Sequence, residues 1–204
     1  MLPAINLAST IPRTEAEGPG LRYALWVQGC PLRCPGCCNP HYLTGRPARQ
    51  VSVESLLAEI TQTPGIEGAT FLGGEPFSQP EALGALAAGL RRAGLSVMVF
   101  SGHPLAHLRA RPAFAPLLTQ TDLLIDGPYQ KDQPDTSRRW IGSTNQQIHF
   151  LTDRYRELAG RWPSGETVEL RLRRSADGAV SISMNGSPSD DISALIRATL
   201  RRKP

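Results

Sequence analysis

Four cysteines, all that the 204-residue chain contains, lie in the short stretch GCPLRCPGCC (29–38). Cys30, Cys34 and Cys37 have the spacing C-x3-C-x2-C, and Cys38 follows directly. Clustered thiols in a reducing compartment are candidates for metal binding rather than for disulfides. Three thiolates on a [4Fe-4S] cluster leave one iron without a protein ligand, and a small molecule can bind there. The spacing therefore predicts an iron–sulfur site with an open iron.

Other uses of these thiols stay open at this point. Four thiolates could hold a structural zinc, although tetrahedral zinc sites usually take their ligands from two separated knuckles. Cys38 could replace one of the three spaced cysteines, although adjacent cysteines rarely point at the same ion. A simple electron carrier is a further option, but such carriers normally use four ligands per cluster. The interpretation that the spacing favours is three ligands, with Cys38 as a bystander.

Apolar patterns place the cysteines directly after a predicted strand. Strands and helices then alternate, which predicts parallel strands joined by right-handed crossovers and an α/β core. The residues before position 21 predict only an irregular start. The predicted strands are 21–28, 69–72, 96–100, 122–126 and 146–151. The predicted helices are 52–63, a segment from Pro80 to a stop at Gly94, 104–118 and 153–159.

The last part of the chain has a different pattern. TVELRLR (167–173) and AVSISM (179–184) alternate in polarity and predict a hairpin, and a helix beginning at Asp190 or Asp191 is expected to follow. The polar region 127–145 is too long for a simple connection and predicts a functional loop or lid.

Composition narrows the class of protein. Hydrophobic residues make up 40% of the chain and charged residues 20%, which is typical of a soluble globular protein. The formal net charge of +4 is modest, so nucleic-acid binding is not favoured. No apolar run approaches the roughly 20 residues that span a bilayer, and the start of the chain lacks the layout of a signal peptide. We expect a cytoplasmic protein without a membrane partner.

Several motifs resemble those of a known family. The C-x3-C-x2-C loop after a first strand resembles the signature of radical S-adenosylmethionine (SAM) enzymes, and FLGGEP (71–76) resembles their GGEP motif. GPGLRYALWVQGCPLRCPGCCNP (18–40) is similar to the N-terminal signature of the small activating proteins of glycyl radical enzymes. DLLIDGPY (122–129) and RRWIGSTNQ (138–146) also resemble segments of that group. The resemblance covers roughly residues 5 to 150.

The resemblance implies a fold and a division of the chain. We expect an α/β protein with a partial open (β/α) barrel of the radical SAM type and a small C-terminal ββα appendage. The radical SAM core domain would span 1–160, and the hairpin-helix appendage would span 161–204. In one respect the sequence departs from the group, because Cys38 stands where an aromatic residue is usual.

The resemblance also implies cofactors and the residues that hold them, namely a [4Fe-4S] cluster and SAM. The expected metal ligands are Cys30, Cys34 and Cys37. The residues expected to contact SAM are Gly73, Gly74, Glu75, Pro76, Ser101 and Asp126. Glu75 would accept the ammonium group of SAM, and Ser101 and Asp126 would lie near its ribose. Taken alone, a surface Gly-Gly turn would also explain Glu75, and a capped turn would also explain Asp126.

The activity implied is reductive cleavage of SAM to a 5′-deoxyadenosyl radical, with no acid or base from the protein. That radical would generate a glycyl radical on a large partner enzyme, such as an anaerobic ribonucleotide reductase. The electron would come from a flavodoxin- or ferredoxin-type donor. One alternative is a stand-alone radical SAM enzyme that modifies a peptide or a small molecule. A second alternative, from another class, is a zinc-stabilised binding module.

Overall fold

A seven-stranded mixed sheet forms the centre of the protein in a computed structural model that describes residues 4–165, 167–175 and 177–186. The strand order is β3-β1-β2-β4-β5-β6-β7, and β8 and β9 form a separate hairpin. The strands are β1 (Ile5–Thr14), β2 (Arg22–Val27), β3 (Arg49–Val51), β4 (Gly68–Gly73), β5 (Ser96–Ser101), β6 (Leu123–Asp126), β7 (Gln147–Phe150), β8 (Val168–Arg174) and β9 (Val180–Gly186).

The four central strands, β2, β4, β5 and β6, pair in parallel. The predicted parallel α/β core is therefore confirmed. Antiparallel strands flank it, because β1 pairs with β2 and β7 pairs with β6 in that direction. The carboxyl ends of parallel strands meet at one edge of a sheet, so residues that follow the central strands come together there. Closure of this sheet into a partial barrel stays a prediction.

Helices cover one face of the sheet and were expected from the sequence. They are α1 (Val53–Thr61), α2 (Pro80–Arg92), α3 (Leu105–Arg109) and α4 (Ala115–Leu118). Short 3-10 helices also occur at Pro40–Tyr42, Pro76–Ser78, Pro112–Phe114 and Asp153–Leu158, and Tyr155 of the last packs against the other face. Ser52 Oγ accepts the Ser55 N–H at 3.1 Å and so caps α1 as the sequence predicts. The single helical segment expected over 104–118 is divided. Its first part, α3, ends at Arg109 shortly before Pro112, whereas Pro116 lies in the first turn of α4, where a missing N–H is tolerated.

The irregular start expected before residue 21 is wrong, because this part of the chain contains the ten-residue strand β1. Only Ile5 and Leu7 alternate in the apolar pattern that marks a strand. The pairing of β1 with β2 shifts register between Ile11 and Thr14. Pro12 lies in this interval, and because proline has no backbone N–H it cannot donate a hydrogen bond to β2. The short edge strand β3 was also missed, because three residues carry too little pattern to be detected.

The predicted hairpin is confirmed as β8 and β9, and it contacts the end of β1 and the residues after it. Asn185 Nδ2 donates to Thr14 Oγ1 at 2.8 Å, and the Gly186 N–H donates to Glu17 Oε1 at 2.9 Å. The helix expected from Asp190 or Asp191 lies outside the described residues. The division at residue 160 stays a prediction. No helix of the described part of the chain has the length and apolarity to cross a membrane.

Candidate functional site

The cysteine loop begins where β2 ends, at the carboxyl edge of the parallel strands. Two backbone hydrogen bonds close its base: the Gly29 N–H donates to Tyr42 O at 2.8 Å, and the Cys30 N–H donates to Leu43 O at 3.3 Å. Gln28 Nε2 adds a bond of 2.8 Å to Thr44 O. The loop is therefore fixed at both of its ends while its middle stays open to solvent.

All four cysteines are free thiols. Cys30, Cys34 and Cys37 are half-buried and Cys38 is exposed. A hydrogen bond from the Cys38 thiol lowers the pKa of Cys37 to about 6, whereas burial raises the pKa of Cys30. Positive φ angles of 49° at Arg33 and 74° at Gly36 turn the chain between the three spaced thiols.

These thiols fit an iron–sulfur cluster by their chemistry. Among the residues that the structure describes, no three His, Cys, Asp or Glu side chains are grouped to hold a single metal ion. In a cubane cluster each thiolate binds a different iron, so the ligands need not converge on one point. Three unpaired thiols on one loop, one of them with a lowered pKa, are the donor set that such a cluster uses.

The Gly-Gly-Glu segment after β4 is bonded to the base of the cysteine loop. The Gly74 N–H donates to Val27 O at 2.7 Å, and the Glu75 N–H donates to Gly29 O at 2.8 Å. A Cβ added to Gly74 would lie 2.2 Å from Gly29 O, and one added to Gly73 would lie 2.6 Å from a backbone atom of β2. Both glycines are therefore required for the segment to approach this loop.

The Glu75 carboxylate is buried and accepts three hydrogen bonds. Oε1 accepts from the Phe77 N–H at 2.9 Å and from the Ser101 hydroxyl at 3.0 Å, and Oε2 accepts from the Gly102 N–H at 2.9 Å. Burial raises its pKa to about 7, although these bonds oppose the shift. Pro76 is buried beside it and begins the 3-10 helix that Glu75 caps. The surface glutamate that a lone Gly-Gly turn would give is not what the structure shows.

Asp126 ends β6 directly opposite Ser101 in the register of the two strands. Its Oδ2 accepts the Leu105 N–H at the start of α3, so the capping role is present. His149 Nε2 lies 2.9 Å from the same oxygen, within ion-pair distance, and forms no hydrogen bond with the described residues. A cleft of about 450 Å³ borders Asp126 and His149 and also includes Asn145.

Sequence reasoning did not connect His149 with this edge. One signal was available, because antiparallel pairing of β7 with β6 places Gln147 opposite Asp126, and His149 follows two residues later on the same face. This spacing would have placed His149 near Asp126 only if the antiparallel direction of β7 had been known. The sequence alone does not indicate that direction.

The predicted residues thus lie along one edge of the sheet. The cysteine loop also contacts the end of β5, where a Cβ added to Gly102 would lie 2.3 Å from Leu32 Cδ1. The segment from Gly73 to Pro76 is bonded to the loop, Ser101 is bonded to Glu75, and Asp126 lies one strand further along.

Comparison with known proteins shows which family this chain resembles. The family model described as "4Fe-4S single cluster domain" matches residues 16–149. The anaerobic ribonucleoside-triphosphate reductase-activating protein of Pasteurella multocida (strain Pm70) is 31% identical over 157 residues, which cover 72% of this chain and 99% of that protein. The protein of the same description from Escherichia coli (strain K12) is 30% identical, with the same coverage. The pyruvate formate-lyase-activating enzyme of Staphylococcus aureus (strain USA300) is 41% identical over 85 residues, or 39% of this chain and 34% of that enzyme.

The matched range contains the cysteine loop and the carboxyl ends of the central strands, so this is an iron–sulfur protein of the single cluster class. The two relatives that are about 30% identical along nearly their whole length define a narrower family than this model does. The chain belongs to the family of anaerobic ribonucleoside-triphosphate reductase-activating proteins. It is an enzyme of the glycyl-radical-activating radical SAM type, with a [4Fe-4S] cluster and SAM as cofactors. The sequence-based predictions of family, enzyme class and cofactors are confirmed.

Proposed function

We propose that this enzyme generates a glycyl radical on an anaerobic ribonucleotide reductase. The observation that carries the proposal is the direct bonding of the cysteine loop to the Gly-Gly-Glu segment through Glu75 N and Gly29 O. When bound, the cofactors supply reductive cleavage of SAM to methionine and a 5′-deoxyadenosyl radical, which removes a hydrogen atom from a glycine of the partner. The residues of the chain supply binding, orientation and exclusion of water.

Each candidate residue has a role in this proposal. Cys30, Cys34 and Cys37 bind three irons of the cluster. Glu75 receives the ammonium group of SAM: a carboxylate has about four acceptor positions, and three are used by protein donors. The positive charge of the ammonium group would lower the raised pKa of Glu75 and keep it ionised.

The remaining residues position the ligand. Gly73, Gly74 and Pro76 hold Glu75 against the cysteine loop, since no larger residue fits at the two glycines. Ser101 and Asp126 would face the nucleoside from neighbouring strands, within the partial open barrel that the resemblance implies. The names of the relatives support the reductase as the target, and free thiols suit the reducing cytoplasm.

A second candidate is a radical SAM enzyme with a peptide or small-molecule substrate. The hairpin favours it, because it lies outside the matched range and exposes apolar side chains on one face. These side chains are Leu170, Leu172, Val180, Ile182 and Met184. An added apolar surface of this kind can recruit a different substrate.

The test is anaerobic reconstitution with iron and sulfide, followed by addition of SAM and dithionite. We expect 5′-deoxyadenosine and methionine, and a glycyl radical signal by electron paramagnetic resonance once the large reductase subunit is added. Cys34→Ala should abolish all three products. Formation of 5′-deoxyadenosine without any glycyl radical on that subunit would favour the second candidate. One equivalent of zinc without sulfide would reject both.

A further inference from the structure

A lysine of the polar region 127–145 lies across the cysteine loop. Gly36 stands between Cys34 and Cys37, and a Cβ added to it would lie 2.9 Å from Lys131 Cδ and 3.2 Å from Lys131 Cγ. The aliphatic part of the lysine therefore covers the cysteine loop at Gly36. The ammonium group follows two bonds beyond Cδ, so a positive charge lies close to the loop that carries the proposed iron ligands.

Hydrogen bonds on both sides hold Lys131 in this position. It lies in a turn that the Gln133 N–H closes by donating to Gln130 O at 3.1 Å. The Gln130 N–H donates to Ser143 Oγ at 3.1 Å, and the Thr144 N–H donates to Gln133 O at 2.8 Å. Ser143 is fully buried, so the turn is anchored to the interior of the protein. The backbone of Lys131 is thus fixed over the cysteine loop.

The charge of Lys131 is not neutralised by the residues that the structure describes. Its ammonium group forms no ion pair with any of them, the adjacent Asp132 included. The thiolates of a three-cysteine cluster outweigh the positive charge of the oxidised cubane core, and reduction adds one more negative charge. Lys131 and the cluster therefore carry opposite charges, and the attraction between them grows when the cluster is reduced.

We propose that Lys131 raises the reduction potential of the cluster, and that Ser143 holds it over the cysteine loop for this purpose. This inference rests on the proposed function, because it concerns the cluster whose reduction starts the reaction. In the step concerned, one electron passes from a one-electron donor such as dithionite to the cluster, and no bond forms or breaks. Net charge around an iron–sulfur cluster is one of the factors that set its potential, and a nearby cation stabilises the reduced form more than the oxidised form.

A packing role for the same side chain makes different demands. Packing over Gly36 would need the aliphatic carbons of Lys131 but not its charge, whereas an effect on the potential needs the charge. Methionine keeps an unbranched side chain without the charge, and arginine keeps the charge on a different end group. These two substitutions at position 131 therefore separate the two roles.

The experiment measures the midpoint potential of the cluster-loaded full chain without SAM and without the reductase. A redox titration with dithionite is followed by electron paramagnetic resonance, at low and at high salt, and iron and sulfide are determined for every sample. The variants are Lys131→Met, Lys131→Arg and Ser143→Ala, which leaves every charge in place. Arg154→Met is the control for the loss of one exposed positive charge. Arg154 adjoins Tyr155, whose hydroxyl lies 2.6 Å from Ser96 Oγ at the start of β5, at the opposite edge of the sheet.

We expect Lys131→Met to lower the equilibrium constant for reduction about threefold to tenfold at low salt, which is about 30 to 60 mV for a one-electron couple. The difference should shrink at high salt, because Lys131 is exposed. Lys131→Arg and Arg154→Met should stay within about twofold of the wild type. Ser143→Ala should lower the constant by a smaller factor, and it should have no further effect when Lys131→Met is already present.

An unchanged potential in Lys131→Met would overturn the proposal. Equal shifts in Lys131→Met and Lys131→Arg would also overturn it, because the effect would then come from packing and not from charge. A shift of the same size in Arg154→Met would show that the position of the charge does not matter. A wild-type chain that forms no glycyl radical on the reductase would reject the proposed function, whereas the potentials, measured without that partner, would still decide the role of Lys131.

Discussion

The Ser101 hydroxyl donates a hydrogen bond of 3.0 Å to Glu75 Oε1, so the segments that follow β4 and β5 share one buried carboxylate. With Phe77 N and Gly102 N as the other donors, Glu75 connects three parts of the chain at the edge of the sheet. The residue expected to bind the ammonium group is thus also a structural centre. Its two roles can be separated by experiment.

Glu75→Gln should destabilise the cofactor-free protein by about 1–3 kcal/mol. The change replaces one acceptor oxygen with an NH₂ group, which would then face a protein donor in a buried site. Ser101→Ala should cost about 1–2 kcal/mol, since it removes the bond to Glu75 and the bond that Ser101 Oγ accepts from the His103 N–H, while the other two bonds to Glu75 stay. Urea unfolding measures both values. If Glu75 binds SAM, Glu75→Gln should also weaken SAM binding far more than Ser101→Ala does. Equal loss of binding in the two variants would leave only the structural role.

Gly74→Ala should prevent correct assembly of the cluster. The new Cβ would lie 2.2 Å from Gly29 O, a backbone atom that cannot move without displacing Cys30. We expect iron and sulfide content after reconstitution to fall by more than half. Gly45→Ala is the matched control, because no atom lies within 4 Å of its added Cβ. Full cluster content in Gly74→Ala would show that the contact with the loop is dispensable.

Cys38→Ala should retain a cluster with three protein ligands. Its thiol is exposed and hydrogen-bonds Cys37, so its loss should raise the pKa of Cys37 toward the ordinary value for a thiol. Reconstitution should therefore become slower at pH 7 but reach the same final iron content, as followed by visible absorbance. A lower final content at pH 8.5, where more of the Cys37 thiol is ionised, would make Cys38 a ligand.

The central strands and helices could be predicted because their apolar periodicity is strong. Residues 69–72 and 96–100 correspond to β4 and β5. The cap at Ser52 could be predicted because serine is a preferred residue at the N-terminus of a helix. The motif residues could be assigned to one edge because parallel strands end together. Their partners could not, since hydrogen bonds such as Ser101 to Glu75 join residues that are 26 apart in sequence.

Elements whose pairing is set by distant residues escaped prediction. β1 carries Pro12 and several polar residues, and it is a strand because β2 and β3 supply partners on both sides. His149 approaches Asp126 only because β7 is antiparallel to β6. Neither fact is encoded in a local pattern, which is why the flanks of the sheet were less predictable than its centre.

Asp126→Asn and Asp126→Ala distinguish capping from ligand binding. Asn can still accept the Leu105 N–H, whereas Ala leaves the start of α3 uncapped and should cost about 1 kcal/mol in urea unfolding. If Asp126 also holds the ribose of SAM, both variants should bind SAM more weakly by equilibrium dialysis. If it only caps α3, Asp126→Asn should bind SAM as the wild type does.

The contribution of Glu17 to the stability of the cofactor-free chain should fall as pH rises from about 5 to 7. Burial raises the pKa of Glu17 to about 7, with the bonds from Gly186 and Asn185 opposing it. Because the folded state then holds a proton that the unfolded state releases near pH 4.5, stability is fully present below that value and is lost as pH rises through 7.

The shift at Glu17 corresponds to about 3 kcal/mol, and Glu75 should add a loss of similar size over the same range. Glu17→Gln keeps an acceptor for the Gly186 N–H but cannot ionise, so between pH 5.5 and pH 8 it should lose about 2 kcal/mol less stability than the wild type does. Urea unfolding at pH 5.5 and pH 8 measures the difference. A variant that keeps the full pH dependence of the wild type would contradict the assignment. The wild type alone does not decide it, because the lowered pKa of Cys37 makes the contribution of that thiol to stability rise over the same range.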